Sequence, residues 1–244
     1  PNTTYTLTAL ATGNSYGAGE HPNSTSRITP RDDLPKANEP EQPSKDYQRF
    51  LGLCSHEYFH SWLVKFIRPE SFVNYDLNQE GYTSLLWIFE GFTSYYDDLL
   101  LLRSGVIDQA AYLELLKAQI DRYLQNPGRA IQTVAESSFD AWVKFYRQDE
   151  NSNHAGTSYY NKGCLVALCL DLGLRLRGSS LDALMQKLYA NAQQGIQVHE
   201  CTIFELCKEL TGDDWSEQIH HLINTTDELP LDQLLPEFGV DYQL

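Results

Sequence analysis

The sequence predicts an α+β protein, a small sheet at the amino-terminal end followed by a mostly helical body. Three observations carry this. Residues 4–10 alternate polar and apolar side chains and carry β-branched residues, the period of a strand, and residues 24–28 look like a second short strand. From residue 45 onward the chain reads as mostly helical, apart from a loop over 70–83 and a loop-rich stretch over 127–156. The first of those helical stretches holds His56-Glu57-Tyr58-Phe59-His60, whose two histidines, four apart, share one helix face.

Composition bounds the rest. A chain of 244 residues suffices for one large domain or two small ones with a sizeable core. A net charge of −15 argues against nucleic acid or an anionic membrane as partner. The 5 cysteines, odd in number and scattered, make neither a disulfide framework nor zinc-ribbon spacing. Cys54 and Cys164 lie in apolar helical stretches, so buried free thiols are expected there. The most apolar run, 85–102, carries Glu90, Asp97 and Asp98 and reads as a buried helix, not a membrane span. No signal peptide opens the chain, and the start at Pro1 predicts an excised fragment. The compartment stays open, the cytoplasm favoured over the periplasm.

Taken in order, residues 4–10 form a strand. The segment 13–21, Gly-Asn-Ser-Tyr-Gly-Ala-Gly-Glu-His, reads as a glycine-rich turn. Residues 24–28 form a second short strand. Residues 29–46, with Pro30, Pro35, Pro40 and Pro43, form a loop, with a disordered linker as the alternative. The motif helix runs from 45 to 67 and ends before Pro69. A loop over 70–83 leads to a second helix over 85–99. Further helices are expected over 107–124, around Trp142, Phe145 and Tyr146, and over 158–176. Ser179-x-x-Asp182 and Thr202-x-x-Glu205 resemble capping boxes opening two more, and 213–223 and 232–238 complete the set.

The chemistry follows from residue type and spacing. Imidazoles at i and i+4 can each give a nitrogen to one zinc ion, with Glu57 beside them as a carboxylate base. A buried helix with two hydrogen-bonded histidines is the bland alternative. Glu90 stands among large apolar residues, where an unpaired carboxylate costs several kcal/mol and a divalent cation removes that difficulty; a salt bridge would do the same. His56, His60 and Glu90 thus make a three-ligand site for one Zn2+ with a position left for water. That water becomes a usable nucleophile near neutral pH, and Glu57 accepts its proton and passes it to the leaving amine. Asp97, seven residues after Glu90, lies on the same helix face and could hydrogen-bond a ligand, or be an exposed helix charge.

His56-Glu57-Tyr58-Phe59-His60-Ser61-Trp62 with Val64-Lys65-Phe66-Ile67-Arg68-Pro69, and Leu86-Trp87-Ile88-Phe89-Glu90-Gly91-Phe92, resemble the glycyl aminopeptidase family. Ser137-Ser138-Phe139-Asp140-Ala141-Trp142 and Ser158-Tyr159-Tyr160-Asn161-Lys162-Gly163 are similar blocks, and the resemblance runs over about residues 16–240. These are thermolysin-like zinc peptidases of the gluzincin type, usually followed by a PDZ domain. The resemblance implies a zincin catalytic domain over 1–244, without the family's amino-terminal β-rich domain and PDZ domain, and a metal in the cleft between the motif helix and the helix of Glu90. It implies an aminopeptidase acting on peptides and favouring small amino-terminal residues such as glycine or alanine. More distantly, the chain is similar to the aminopeptidase N and leukotriene A4 hydrolase group. That likeness places an oxyanion-stabilising hydroxyl on Tyr160 and an amine-binding carboxylate on Glu20 after Gly19, although the loop here ends Gly-Glu-His where that group has Met-Glu-Asn. A core tyrosine and an exposed loop carboxylate are the respective alternatives. An endopeptidase on the same site, or an inactive scaffold whose PDZ domain binds peptides, are the rival functions. Asp140, Arg129 and His154 receive no role.

Overall fold

The computed structural model describes residues 4–37 and 42–241; Pro1 and Pro40 fall outside them. The chain forms two compact units, residues 1–66 with 93–118, and residues 67–92 with 119–244.

In the first unit, β1 (Thr6–Thr12), β2 (Gly17–His21) and β3 (Ser24–Pro30) form a sheet of order β1-β3-β2, with β1 parallel and β2 antiparallel to β3. The turn expected over 13–21 is therefore only half a turn. Glycines weaken a strand, but β2 lies at an edge, where pairing of Gly17↔Ile28 through His21↔Ser24 holds it extended. Central β3 buries alternate residues Thr25, Arg27 and Thr29 towards α1 (Lys45–Phe59). The Arg27 guanidinium lies 5.1 Å over the Phe50 ring and donates to Cys54 Sγ. From α1, Arg49 donates to the buried Asp33 carboxylate at 2.8 and 2.7 Å. Tyr16 donates its hydroxyl to Arg49 O at 3.4 Å, so the entry to β2 sits beside the first half of α1.

Ser44 caps α1, accepting from Tyr47 N–H. The helix ends at Phe59, eight residues before the predicted Ile67. Residues 60–63 continue as irregular turns, and Lys65 N–H returns to His60 O at 3.1 Å. Val64 then takes φ 111°, which no α-helix accommodates. The second helical stretch also divides, into α2 (Leu86–Phe89) and α3 (Gly91–Arg103), with Glu90 at the joint. Phe59 stacks on Tyr96 of α3, with ring centroids 4.9 Å apart.

The second unit is built on α7 (Asn161–Arg175), in which every residue from Asn161 to Leu174 is buried. Its remaining helices, after α4 (Gln109–Gln125) has crossed over from the first unit, are α5 (Val134–Phe139), α6 (Ser152–Ala155), α8 (Leu181–Gln193), α9 (Thr202–Thr211), α10 (Ser216–Asn224) and α11 (Leu231–Leu234). Backbone meets backbone where α7 passes the start of α3. A Cβ on Gly91 would stand 2.6 Å from Gly163 Cα, and one on Gly163 would stand 2.9 Å from Gly91 Cα. Ser138 Oγ accepts the Trp87 N–H at 3.0 Å and fixes the start of α2. The aromatic run at Trp142 is a single π-helical turn, Ala141–Phe145.

Two predicted caps shift. Gly178 and Ser179 close α7, with Ser179 N–H on Leu174 O, so Ser180 takes over as cap of α8. Thr202 accepts from His199 N–H instead of capping α9, whose cap position is Cys201. The capping box that does form is Thr133 with Glu136, opening α5. All 5 cysteines are free thiols; Cys164 is buried and Cys54 partly so. Among the described residues no helix is long and apolar enough to cross a membrane.

Candidate metal centre

His56 and His60 project from the last turn and the end of α1, their rings edge to face with centroids 4.8 Å apart. Each imidazole has its Nδ1 engaged. His60 Nδ1 lies 3.0 Å from Leu63 O, a pure acceptor, so Nδ1 carries the proton and Nε2 keeps its lone pair. His56 Nδ1 lies 3.0 Å from Asp97 Oδ2 on α3, which selects the same tautomer when the carboxylate is ionised. Burial pushes the Asp97 carboxyl above its ordinary value, and the hydrogen bond and charge of His56 pull it back. Asp97 is thus a partner of the motif, not an exposed helix charge.

One ligand atom each from His56, His60 and Glu90 lie within 4.8 Å of one another. Two neutral imidazoles and a carboxylate are a donor set suited to zinc, and the residues fit the ion. Glu57, next to His56 on α1, is buried at 5 % exposure.

Tyr160 occupies the cap position of α7. Its hydroxyl lies 3.2 Å from that of Tyr146. Burial pushes its phenol well above the usual range, and the charge of Glu90 is the next cause. Tyr159 is buried in the core at 1 % exposure, so of the adjacent pair Tyr160 is the half-buried member beside Glu90 and Tyr146. The Gly91–Gly163 contact explains that nearness, since Glu90 precedes one glycine and Tyr160 lies three residues before the other.

Glu20 lies on the edge strand β2, after Gly19, whose carbonyl accepts from Thr25 Oγ1 at 3.0 Å. Its Oε1 is 2.9 Å from Lys65 Nζ. Asp140 pairs with Lys144, and Arg129 pairs with Glu228 while lying 5.7 Å over the Tyr123 ring; these are structural contacts. His154 is exposed. Tyr146 and Lys65 are the neighbours that sequence reading missed. Tyr146 reaches Tyr160 through a π-turn that carries no sequence signature. Lys65 was legible only as part of the block after the motif.

Among curated proteins none matches this chain. The chain superposes over 98 % of its length on a crystal structure of an aminopeptidase N family protein from Idiomarina loihiensis, with TM-score 0.94 and 41 % identity, covering 41 % of that protein. A mutant M1 zinc metallopeptidase from Deinococcus radiodurans shares the fold, with TM-score 0.54 at 16 % identity, over 95 % of this chain and 42 % of that one. The chain thus spans about two fifths of the length of both solved structures. Both of these solved structures carry peptidase names, and the chain shares their fold. The family model of the M61 glycyl aminopeptidases matches residues 49–166, the segment that contains His56, Glu57, His60, Glu90 and Tyr160.

Proposed function

We propose that this chain is the catalytic domain of a zinc-dependent aminopeptidase that removes small amino-terminal residues, glycine or alanine, from peptides. The observation that carries the reading is the convergence of His56, His60 and Glu90 within 4.8 Å, with both histidines held at Nδ1. A bound zinc supplies Lewis acidity and water acidified to a pKa of about 7. Glu57 accepts the proton of the attacking water and returns it to the leaving amine. Tyr160 donates its hydroxyl to the carbonyl oxygen as negative charge develops there, and burial keeps that hydroxyl protonated. Glu20 binds the substrate's amino terminus.

The test is Glu57→Gln, which fits the same space but cannot take the proton. It should keep about one zinc per chain by elemental analysis and lose turnover of an alanyl anilide. Activity within about tenfold of the parent would mean that another base acts. The Glu20–Lys65 pair favours a second reading, an endopeptidase, because the carboxylate meant for the amine already holds a cation. Cleavage of acetylated peptides at rates equal to free ones would establish it.

A further inference from the structure

The Glu20 carboxylate holds an ammonium group of the chain itself. Lys65 Nζ sits 2.9 Å from Oε1, with both side chains about one quarter to one third exposed. An amino terminus and a lysine offer the same –NH3+ group with the same three donors. Lys65 therefore occupies on Glu20 the place that the proposed function assigns to the substrate.

The pair stands at the histidine end of α1. Tyr16, just before β2, is anchored at Arg49 O, and Glu20 meets Lys65. Tyr16 to Glu20 spans about 13 Å of extended chain, and Arg49 to His60 about 17 Å of helix. β2 therefore runs past the motif helix towards His60, and Glu20 lies near that end.

Lys65 is delivered there by an unusual backbone. Val64 is the one non-glycine residue with positive φ among the described residues. The N–H that follows it returns five residues to His60 O. The same closure recurs at Gly105 (Val106 N–H to Leu101 O), Gly178 (Ser179 to Leu174), Gly195 (Ile196 to Asn191) and Gly239 (Val240 to Leu235), each time with glycine at the positive-φ position. Only the turn that carries Lys65 uses a β-branched residue, which is disfavoured there and has far fewer backbone states than glycine. Such an outlier points to a functional demand on the segment. A stiff turn at Val64 keeps the lysine directed at Glu20.

We propose that Lys65 is a specificity-determining residue: its ammonium holds Glu20 until the α-ammonium of a substrate displaces it. This rests on the aminopeptidase reading above. A peptide with a free amino terminus replaces one ion pair by another. An acetylated end has no charge to offer and leaves Lys65 in place, so the pair filters for free amines. The exchange costs the substrate the value of a partly exposed ion pair, which corresponds to a two- to five-fold weakening of apparent affinity.

The experiment compares Lys65→Met, which keeps an apolar stem without the charge, with Lys65→Arg, which keeps it. For alanyl 4-nitroanilide, Lys65→Met should lower KM two- to five-fold with kcat unchanged, and Lys65→Arg should match the parent. A structural role alone would raise KM or lower kcat instead. Glycinamide binding by calorimetry, in the Glu57→Gln background with and without Lys65→Met, should tighten by the same factor and does not depend on turnover. Should Lys65→Met fail to fold in a thermal melt, Lys65→Gln carries the same expectation. KM and Kd unchanged or raised on loss of the charge would overturn the proposal. That result beside zinc-loaded, Glu57-dependent turnover sinks the role of Lys65 alone, whereas absence of zinc and of turnover from the parent sinks the aminopeptidase reading.

Discussion

Gly91→Ala tests whether the close crossing at Gly163 is what sets Glu90 beside Tyr160. The added Cβ would lie 2.6 Å from both Cα and C of Gly163 and 2.9 Å from its O. Ordinary carbon contacts are about 3.5–4.0 Å, so the two backbones must part by about 1 Å. No rotamer relieves this, because the obstructing atoms are all main chain. Overpacking of this kind costs about 1–3 kcal/mol. Alanine returns up to about 1 kcal/mol through helix propensity, less at the first residue of a helix. The net expectation is a destabilisation of about 1–2 kcal/mol, or about 2–8 °C in Tm for a chain of this size. Glu90 immediately precedes the substituted residue and moves with it, and a 1 Å displacement of a site group lowers kcat by about 10²-fold. Urea unfolding, a thermal melt and anilide turnover measure these. Gly13→Ala is the control, since nothing lies within 4 Å of its Cβ. A Gly91→Ala protein within about 0.5 kcal/mol of the parent, with full turnover, would refute the argument.

Glu90→Ala should lose most of the zinc measured in the parent by elemental analysis, because two imidazoles alone hold the ion poorly; full occupancy would remove Glu90 from the site. Tyr160→Phe should lower kcat by about 10²–10³ with metal content intact, as loss of one oxyanion donor does. Tyr159→Phe should leave the rate alone and alter only stability, since that side chain lies in the core. Damage from Tyr159→Phe in place of Tyr160→Phe would shift the oxyanion assignment by one residue.

Much of this was legible from one dimension, and the exceptions have physical causes. The two histidines and Glu57 are fixed by spacing on one helix, and Glu90 is conspicuous as a charge in an apolar run. Strand pairing, in contrast, is tertiary. Gly17, Gly19 and the turn-forming neighbours before them read as a loop until β3 supplies the hydrogen bonds that make β2. Ser179 has the right spacing for a capping box, but the preceding helix claims its N–H for closure. Tyr146 reaches Tyr160 only through a π-turn, a local geometry that no periodicity announces.

The overrun of the motif helix is the most instructive of these, because the stop at Phe59 is part of the site. Valine gives no sign of a helix terminus; glycine or asparagine would have. In a helix continued to residue 67, the carbonyl of Leu63 would point along the axis towards the amide of residue 67. The imidazole of His60 would lean the opposite way, towards the amino terminus. The two could not meet. Ending the helix at Phe59 and turning through Val64 swings Leu63 O back to 3.0 Å from His60 Nδ1. His56, still inside the helix, has no such turn beside it and takes its acceptor from Asp97 on α3. The two histidines of one motif are therefore held in the same tautomer by different means, one by a partner helix and the other by the termination of its own. The turn that orients His60 is also the one that delivers Lys65 to Glu20, so a single strained residue, Val64, links the candidate metal ligand to the candidate amine site.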